Sequence, residues 1–324
     1  MKKPDFDRFL LQSTFLQEEA ERAYTGSFSF SAGKLRLFLF CKRAWFFHYI
    51  LAQGGWDKYA DALCQEAYIQ KYLLTFPAFL SRILTSAIRE SLPAIREEIK
   101  EEKRLDTLRS AIRYNASKII FLSHNFLREG GMEKDPRKLS FYDLYYPTGK
   151  FENAEDLIES GKDILRNFLP QFFHSDLFRT LASFPAVAWN YGEQFPSFTL
   201  RGITVFLPPS LYALTGGNFY RFSFSFARTL PEETTLSDGI FSLYAEKRFS
   251  GHKGKRAMLH FQTEENILQE KVCSPRKADE EVILTQAHEM LKVLQKPQME
   301  YFPCTEEKEN CLFCRFRKVC EKLQ

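Results

Sequence analysis

Cys311-Leu312-Phe313-Cys314-Arg315-Phe316-Arg317-Lys318-Val319-Cys320-Glu321-Lys322-Leu323-Gln324 closes the sequence and sets three thiols in a C-x2-C-x5-C spacing. Interleaved with aromatic and basic residues, these thiols are not accounted for by core packing. Thiolates are soft donors that select zinc or an iron–sulfur cluster, and a closed site needs four of them. Two candidates stand for the fourth donor: Cys304, seven residues before Cys311, and Cys41, about 270 residues before it. A local zinc site would pair Cys311 and Cys314 with Cys304 and Cys320, an irregular spacing for a zinc ribbon. Cys64 and Cys273 lack neighbours of this kind and are expected to be buried apolar thiols.

The chain has 324 residues, 44% hydrophobic and 27% charged, enough for a substantial core in one large or two moderate domains. Its 33 phenylalanines point to an aromatic-rich interior. No apolar run approaches the roughly 18 residues of a membrane span, and Met1-Lys2-Lys3-Pro4 does not begin a signal peptide. The expectation is a cytoplasmic protein with no membrane partner, in which seven cysteines serve as metal ligands or free thiols. A net charge of +4 is too mild to imply nucleic acid by itself. The cations are grouped, however: Lys34, Arg36, Lys42 and Arg43; Lys247, Arg248, Lys253, Lys255 and Arg256; Arg315, Arg317 and Lys318. Such groups are either solvated faces or phosphate contacts.

Hydrophobic periodicity predicts helices over 5–26, over the Cys41 segment with Ser29 or Ser31 as cap, and over 79–91, 97–126, 154–172 and 279–294. Strands are expected at 186–191, 198–206, 219–226, 257–261 and 267–272, with a helix at 237–246 between them. The alternating Phe and Ser of 219–226 reads most simply as a half-buried strand, with base stacking by exposed phenylalanines as the alternative.

Phe38-Leu39-Phe40-Cys41-Lys42-Arg43-Ala44-Trp45, preceded by Ser31 and Leu35, together with the C-terminal thiols, resembles the two ends of the RecB-like branch of the PD-(D/E)XK nuclease superfamily. CRISPR-associated exonucleases and the nuclease domains of helicase–nucleases belong to that branch. Lys42 and Trp45 depart from its usual proline and closing Phe or Tyr. The resemblance implies a 4Fe-4S cluster held by Cys41, Cys311, Cys314 and Cys320, with zinc as the alternative metal. It also implies an α/β fold of mixed α+β type: a restriction-endonuclease-like central mixed sheet flanked by helices, with a large helical insertion and the C-terminal cysteine cluster. The corresponding segments are 1–58 with the first cysteine, 59–184 as the insertion, 185–295 as the core and 296–324 as the cluster tail.

Active members hold Mg²⁺ or Mn²⁺ on a helix histidine, an aspartate in G-x-(I/V)-D and an acid in (D/E)-x-K. Laid on this chain, the histidine position falls on Thr85 and the aspartate after Gly202 on Val205. The acid and lysine fall on Ser223 and Ser225, and Tyr244 is retained from a following Q-x-x-x-Y helix. No Asp or Glu occurs between Gly202 and Leu230. Neither G-x-x-x-x-G-K-(S/T) nor G-x-G-x-x-G is present, so the chain carries no nucleotide motor of these kinds.

The expectation is thus a pseudonuclease: a DNA-binding or scaffolding subunit in repair, recombination or CRISPR-type DNA processing. Its partners would be single-stranded DNA or DNA ends. Contacts are expected from Lys34, Arg36, Lys42, Arg43, Tyr244, Arg248, Lys253, Lys255, Arg315, Arg317 and Lys318. One alternative is an active exonuclease using Mg²⁺ or Mn²⁺ on relocated acids, Glu193 and Asp238. Another is a protein–protein module that supports a helicase or nuclease partner.

Overall fold

The computed structural model describes residues 29–95, 100–146, 149–183, 196–207, 210–215, 217–228, 235–295 and 302–323. The helix expected at 5–26, the strand at 186–191 and Glu193 lie outside them. In chain order the principal elements are β1 (Ser29–Ser31), α1 (Ala32–Phe40), α2 (Lys42–Phe46), α3 (Ala62–Lys71), α4 (Phe76–Ser91), α5 (Glu101–Arg128), α6 (Ala154–His174) and α7 (Asp176–Ser183). Then come β2 (Ser197–Leu200), β3 (Ile203–Phe206), β4 (Leu211–Thr215), β5 (Asn218–Ser225), α8 (Leu236–Arg248), β6 (Lys253–Gln262), β7 (Ile267–Cys273), α9 (Glu280–Gln295), α10 (Lys308–Leu312) and α11 (Arg317–Leu323). The protein is mixed α/β, mostly helical, with small mixed sheets. No described helix is long and apolar enough to cross a membrane.

The chain divides into two compact units, each assembled from separated segments. The first comprises Met1–Leu73, Phe195–Pro208 and Ala278–Gln324. Its three-stranded sheet puts β3 in the centre, parallel to β1 and antiparallel to β2. The stretch expected as one strand over 198–206 is instead a hairpin. Arg201 and Gly202 take φ of 43° and 86°, the two left-handed residues that a two-residue hairpin loop demands. Gly202 is therefore a turn glycine. Val205 is fully buried opposite Phe30 and Phe198, in a different sheet from Ser223 and Ser225.

Ser31 caps α1 by accepting the Lys34 N–H at 3.1 Å. Leu35 and Phe38 bury one face of that helix, whereas Leu39 is exposed.

The second unit comprises Leu74–Gln194 and Pro209–Lys277. Its four-stranded sheet runs in the order β4-β5-β6-β7, antiparallel at both margins and parallel between β5 and β6, with α8 making the crossover. Successive side chains of β5 face opposite ways. Phe222, Phe224 and the following Phe226 join the core formed with α4, α5, α6 and α7, while Phe219 stacks with Tyr212 and Phe241 at 5.6 and 5.3 Å. All four rings are buried, so the stretch is the half-buried strand expected and these phenylalanines are not exposed to stack bases. In α4, Phe76, Phe79, Leu80, Ile83, Leu84, Ala87 and Ile88 repeat at helical spacing and are buried. The Asp143 carboxylate accepts the Phe76 N–H at 3.2 Å and satisfies the start of that helix.

Candidate functional site: a five-thiol cage

The backbone breaks at Cys41, where φ of −167° and ψ of 117° separate α1 from α2. Its sulfur accepts the Ala44 N–H at 3.5 Å, so the thiol points across the start of α2. The tail is seated on this corner by aromatic packing. Phe302 stacks on Trp45 at 6.4 Å with an 8° interplanar angle and meets Phe46 at 4.9 Å, and Phe316 meets Phe47 at 5.9 Å. Phe302, Phe316 and Val319 are fully buried. Arg43 adds a clasp, its Nε donating to the Phe302 carbonyl at 3.1 Å and its N–H to the Pro303 carbonyl at 3.3 Å.

These contacts bring Cys41, Cys304, Cys311, Cys314 and Cys320 to the wall of one cavity of about 430 Å³. The sequence left Cys41 and Cys304 as competing fourth donors; both line the same cavity. The Cys304 and Cys320 sulfurs are 3.6 Å apart. Among the described residues no three His, Cys, Asp or Glu side chains converge at single-ion distance. Burial, then the neighbouring Cys304, pushes the Cys320 thiol up to about 12, with Arg43 opposing it. Burial also raises Cys314, to about 11, and raises Cys311, with Cys41 among the neighbours that reinforce both shifts. Such thiols repel one another as thiolates, and a bound cation reverses that balance. Cys64 is buried, as expected, and its thiol raised to about 11 by burial, whereas Cys273, also expected buried, is half-buried on β7; neither lines this cavity.

In the same unit lies a cationic group. Lys34 donates to the Ser29 carbonyl and hydroxyl, both at 3.1 Å, and its ammonium lies 5.3 Å from the Tyr49 ring centre. Arg315 donates to the Lys71 carbonyl at 3.2 Å. Between them are the rings of His48 and Tyr49, 4.4 Å apart, with Phe316 edge-on to His48. Among the described residues, His48 Nδ1 is buried without a hydrogen-bond partner. Burial first, then Lys71, Arg315 and Lys34, holds His48 down to about 3. Burial raises Tyr49 to about 12 against the fields of Arg315 and Arg36. Lys34, Arg36 and Arg315 thus share one neighbourhood, joined by Lys71, which sequence reasoning missed. Lys71 stands alone at the end of α3, and only its approach to Arg315 reveals it.

Lys42 leans over the Phe38 ring at 5.3 Å, Arg317 lines the thiol cavity, and Lys318 is half-buried on α11.

In the second unit, Ser223 and Ser225, the positions laid on the nuclease acid and lysine, lie on the face of the sheet that α8 covers. Arg221, Ser223 and Ser225 pair across β5 and β6 with Arg256, Met258 and His260. Ser225 Oγ is 3.2 Å from His260 Nδ1. Asp238 is 1% exposed; its two oxygens receive Arg221 at 2.9 Å and Arg256 at 3.1 Å. The same carboxylate completes a capping box with Thr235 at the start of α8.

Thr85 donates to the Ser81 carbonyl within α4. Tyr244 is 1% exposed against Phe219 and Phe249, which corrects its assignment as a nucleic-acid contact. Arg248 and Lys253 are exposed, and Lys255 donates to Ser274 Oγ at 2.7 Å.

No protein-family model, curated protein or solved structure matches the chain.

Proposed function

We propose that the chain is a catalytically degenerate, RecB-like nuclease-fold protein. Its thiol cage would hold a 4Fe-4S cluster, and it would act as a DNA-binding or scaffolding subunit. The observation that carries this is the convergence of Cys41 with Cys311, Cys314 and Cys320 on one cavity across about 270 residues of chain.

The donor set fits a polynuclear cluster better than a single ion. A tetrahedral zinc with bonds of about 2.3 Å needs every sulfur pair about 3.8 Å apart. The Cys304–Cys320 pair approaches that value, but no third donor converges with it among the described residues. In a cubane each thiolate binds its own iron, so its ligand sulfurs need not converge on one point as around a single ion. Cys41, Cys311, Cys314 and Cys320 would be the ligands. When bound, the cluster would supply a cross-link closing most of the chain into one loop.

Lys34, Arg36, Lys71 and Arg315 would then contact the phosphates of single-stranded DNA or a DNA end, an attraction indifferent to base sequence. Lys42, Arg43, Arg317 and Lys318 would extend this positive field along the cage. In the second unit, the mixed order of the four-stranded sheet supports the nuclease-fold reading, and the pairing of Asp238 with two arginines supports loss of the metal site.

Anaerobically purified protein should contain about four irons and four sulfides per chain and leave end-labelled single-stranded DNA intact with Mn²⁺. EDTA-sensitive cleavage by protein freed of contaminating nucleases would overturn the pseudonuclease assignment. Iron-free, zinc-loaded protein would overturn the cluster.

A scaffolding role has its own support in α5, where Tyr114, Phe121 and Leu122 are 68%, 61% and 54% exposed. If a helicase or nuclease partner docks there, Phe121→Ser weakens that complex without altering DNA affinity.

A further inference from the structure

We propose that Cys304 and Cys320 form a reversible dithiol–disulfide pair, an oxidative modification site inside the cage. A cluster takes four thiolates, and five thiols line the cavity. Cys304 is the surplus one, yet its sulfur lies 3.6 Å from that of Cys320, in van der Waals contact.

The approach is imposed by packing. Cys304 follows Phe302, which is buried against Trp45 and Phe46 and clasped by Arg43. Cys320 is carried on α11, which Val319 and the preceding Phe316 pin into the core. A disulfide requires the sulfurs to close to about 2.0 Å, a movement of about 1.5 Å within reach of side-chain rotation.

With a hydroperoxide as oxidant, one sulfur attacks the peroxide oxygen. An S–O bond forms, the O–O bond breaks, and the departing alkoxide takes the thiol proton, leaving a sulfenic acid and an alcohol. The second sulfur then attacks the first, the S–O bond breaks, and hydroxide leaves with the second thiol proton as water. Two thiols and one hydroperoxide become one disulfide, one alcohol and one water.

The consequence rests on the cluster reading above. The disulfide withdraws Cys320 from the ligand set, so the cage cannot rebuild a cluster until it is reduced. It also keeps that sulfur from irreversible oxidation to sulfinic acid.

The test uses the full-length, metal-free protein treated with hydrogen peroxide, then alkylation and non-reducing peptide mapping. Two of the seven thiols should disappear into a single Cys304–Cys320 linkage. In Cys304→Ser that linkage is absent and Cys320 accumulates as sulfinic acid. After dithiothreitol, Fe²⁺ and sulfide, the wild type should regain its pre-oxidation cluster absorption and Cys304→Ser less than half of it. A dominant linkage to Cys41, Cys311 or Cys314, or equal overoxidation of Cys320 in both proteins, would overturn the pairing. The wild-type map decides this even if the variant folds poorly. Failure of never-oxidised protein to build any cluster would instead sink the cluster reading and leave the map standing.

Discussion

Replacing Asp238 separates the pseudonuclease from the enzyme alternative in one experiment. The carboxylate is 1% exposed and faces two guanidinium groups whose side chains are 15% and 9% exposed. Removing one partner of a buried ion pair leaves uncompensated charge and costs about 3–5 kcal/mol, and losing a helix cap adds about 1 kcal/mol. Asp238→Ala should therefore lose about 4–6 kcal/mol, a large part of the 5–15 kcal/mol of an ordinary domain. Asp238→Asn keeps the volume and one carbonyl acceptor and should lose about 3 kcal/mol. With a urea dependence of about 2 kcal/mol per molar, the Ala variant's midpoint falls by about 2–3 M. Circular dichroism during urea titration reads this directly. A loss below about 1 kcal/mol in Asp238→Asn would refute the structural role. If the wild type also cleaved DNA with Mn²⁺ and the Asn variant did not, Asp238 would be a metal ligand after all.

Cys314→Ser should lose the iron and most of the soluble yield, measured by metal analysis of matched preparations; full iron with unchanged stability would contradict the cage. Arg315→Ala and Lys71→Ala should each weaken single-stranded DNA binding for every sequence tested and reduce the slope of log K against log salt by about 0.7, one phosphate contact. An unchanged slope would remove that residue from the DNA path. His48 has a folded pKa of about 3 against its ordinary 6.5, so between those values the unfolded chain binds the extra proton. Stability is then fully present above about 6.5 and falls as pH is lowered toward about 3. His48→Phe should flatten that part of the pH–stability curve, and a parallel curve would show that His48 is not the group responsible. Gly202→Ala should cost about 1 kcal/mol, because Gly202 occupies the left-handed region at φ 86°; an unchanged midpoint would show that the hairpin can relax.

Helices α4, α5, α6 and α9 and strands β5 to β7 were legible because their apolar periodicities are long enough to define a face. The tie between the ends of the chain was legible only through resemblance: nothing local to Cys41 announces a partner about 270 residues away. The turn at Arg201-Gly202 was missed because a non-glycine residue at positive φ carries no strong signal, and nuclease spacing offered another use for the glycine. Tyr244 was misassigned because motif position says nothing of exposure; on α8, residues from Asp238 through Ala245 are all buried. Cys304 was discounted on ligand spacing, whereas its position is set by Phe302 and Arg43. The informative signal was the Phe302-Pro303-Cys304 tripeptide, an aromatic anchor immediately before a thiol.

A four-thiolate cluster is net negative, and so is DNA, so the proposed function would place two demands on the cations of this unit. The geometry separates them. Arg43 is committed to the Phe302 and Pro303 carbonyls and acts on Cys320, so its charge serves the cage. Lys34, Lys71 and Arg315 act instead on His48, each adding to the burial that keeps its ring neutral beside them. A histidine protonated at neutral pH there would repel the same three cations. Keeping it neutral lets positive charge accumulate beside the cage at tolerable cost, and the C-terminal segment belongs to both arrangements. Arg315 follows Cys314 directly, so under the proposed function assembling a metal cage would also position a phosphate contact. On this account a cluster-free protein should bind DNA weakly through loss of that positioning, although the cluster itself need never touch the nucleic acid.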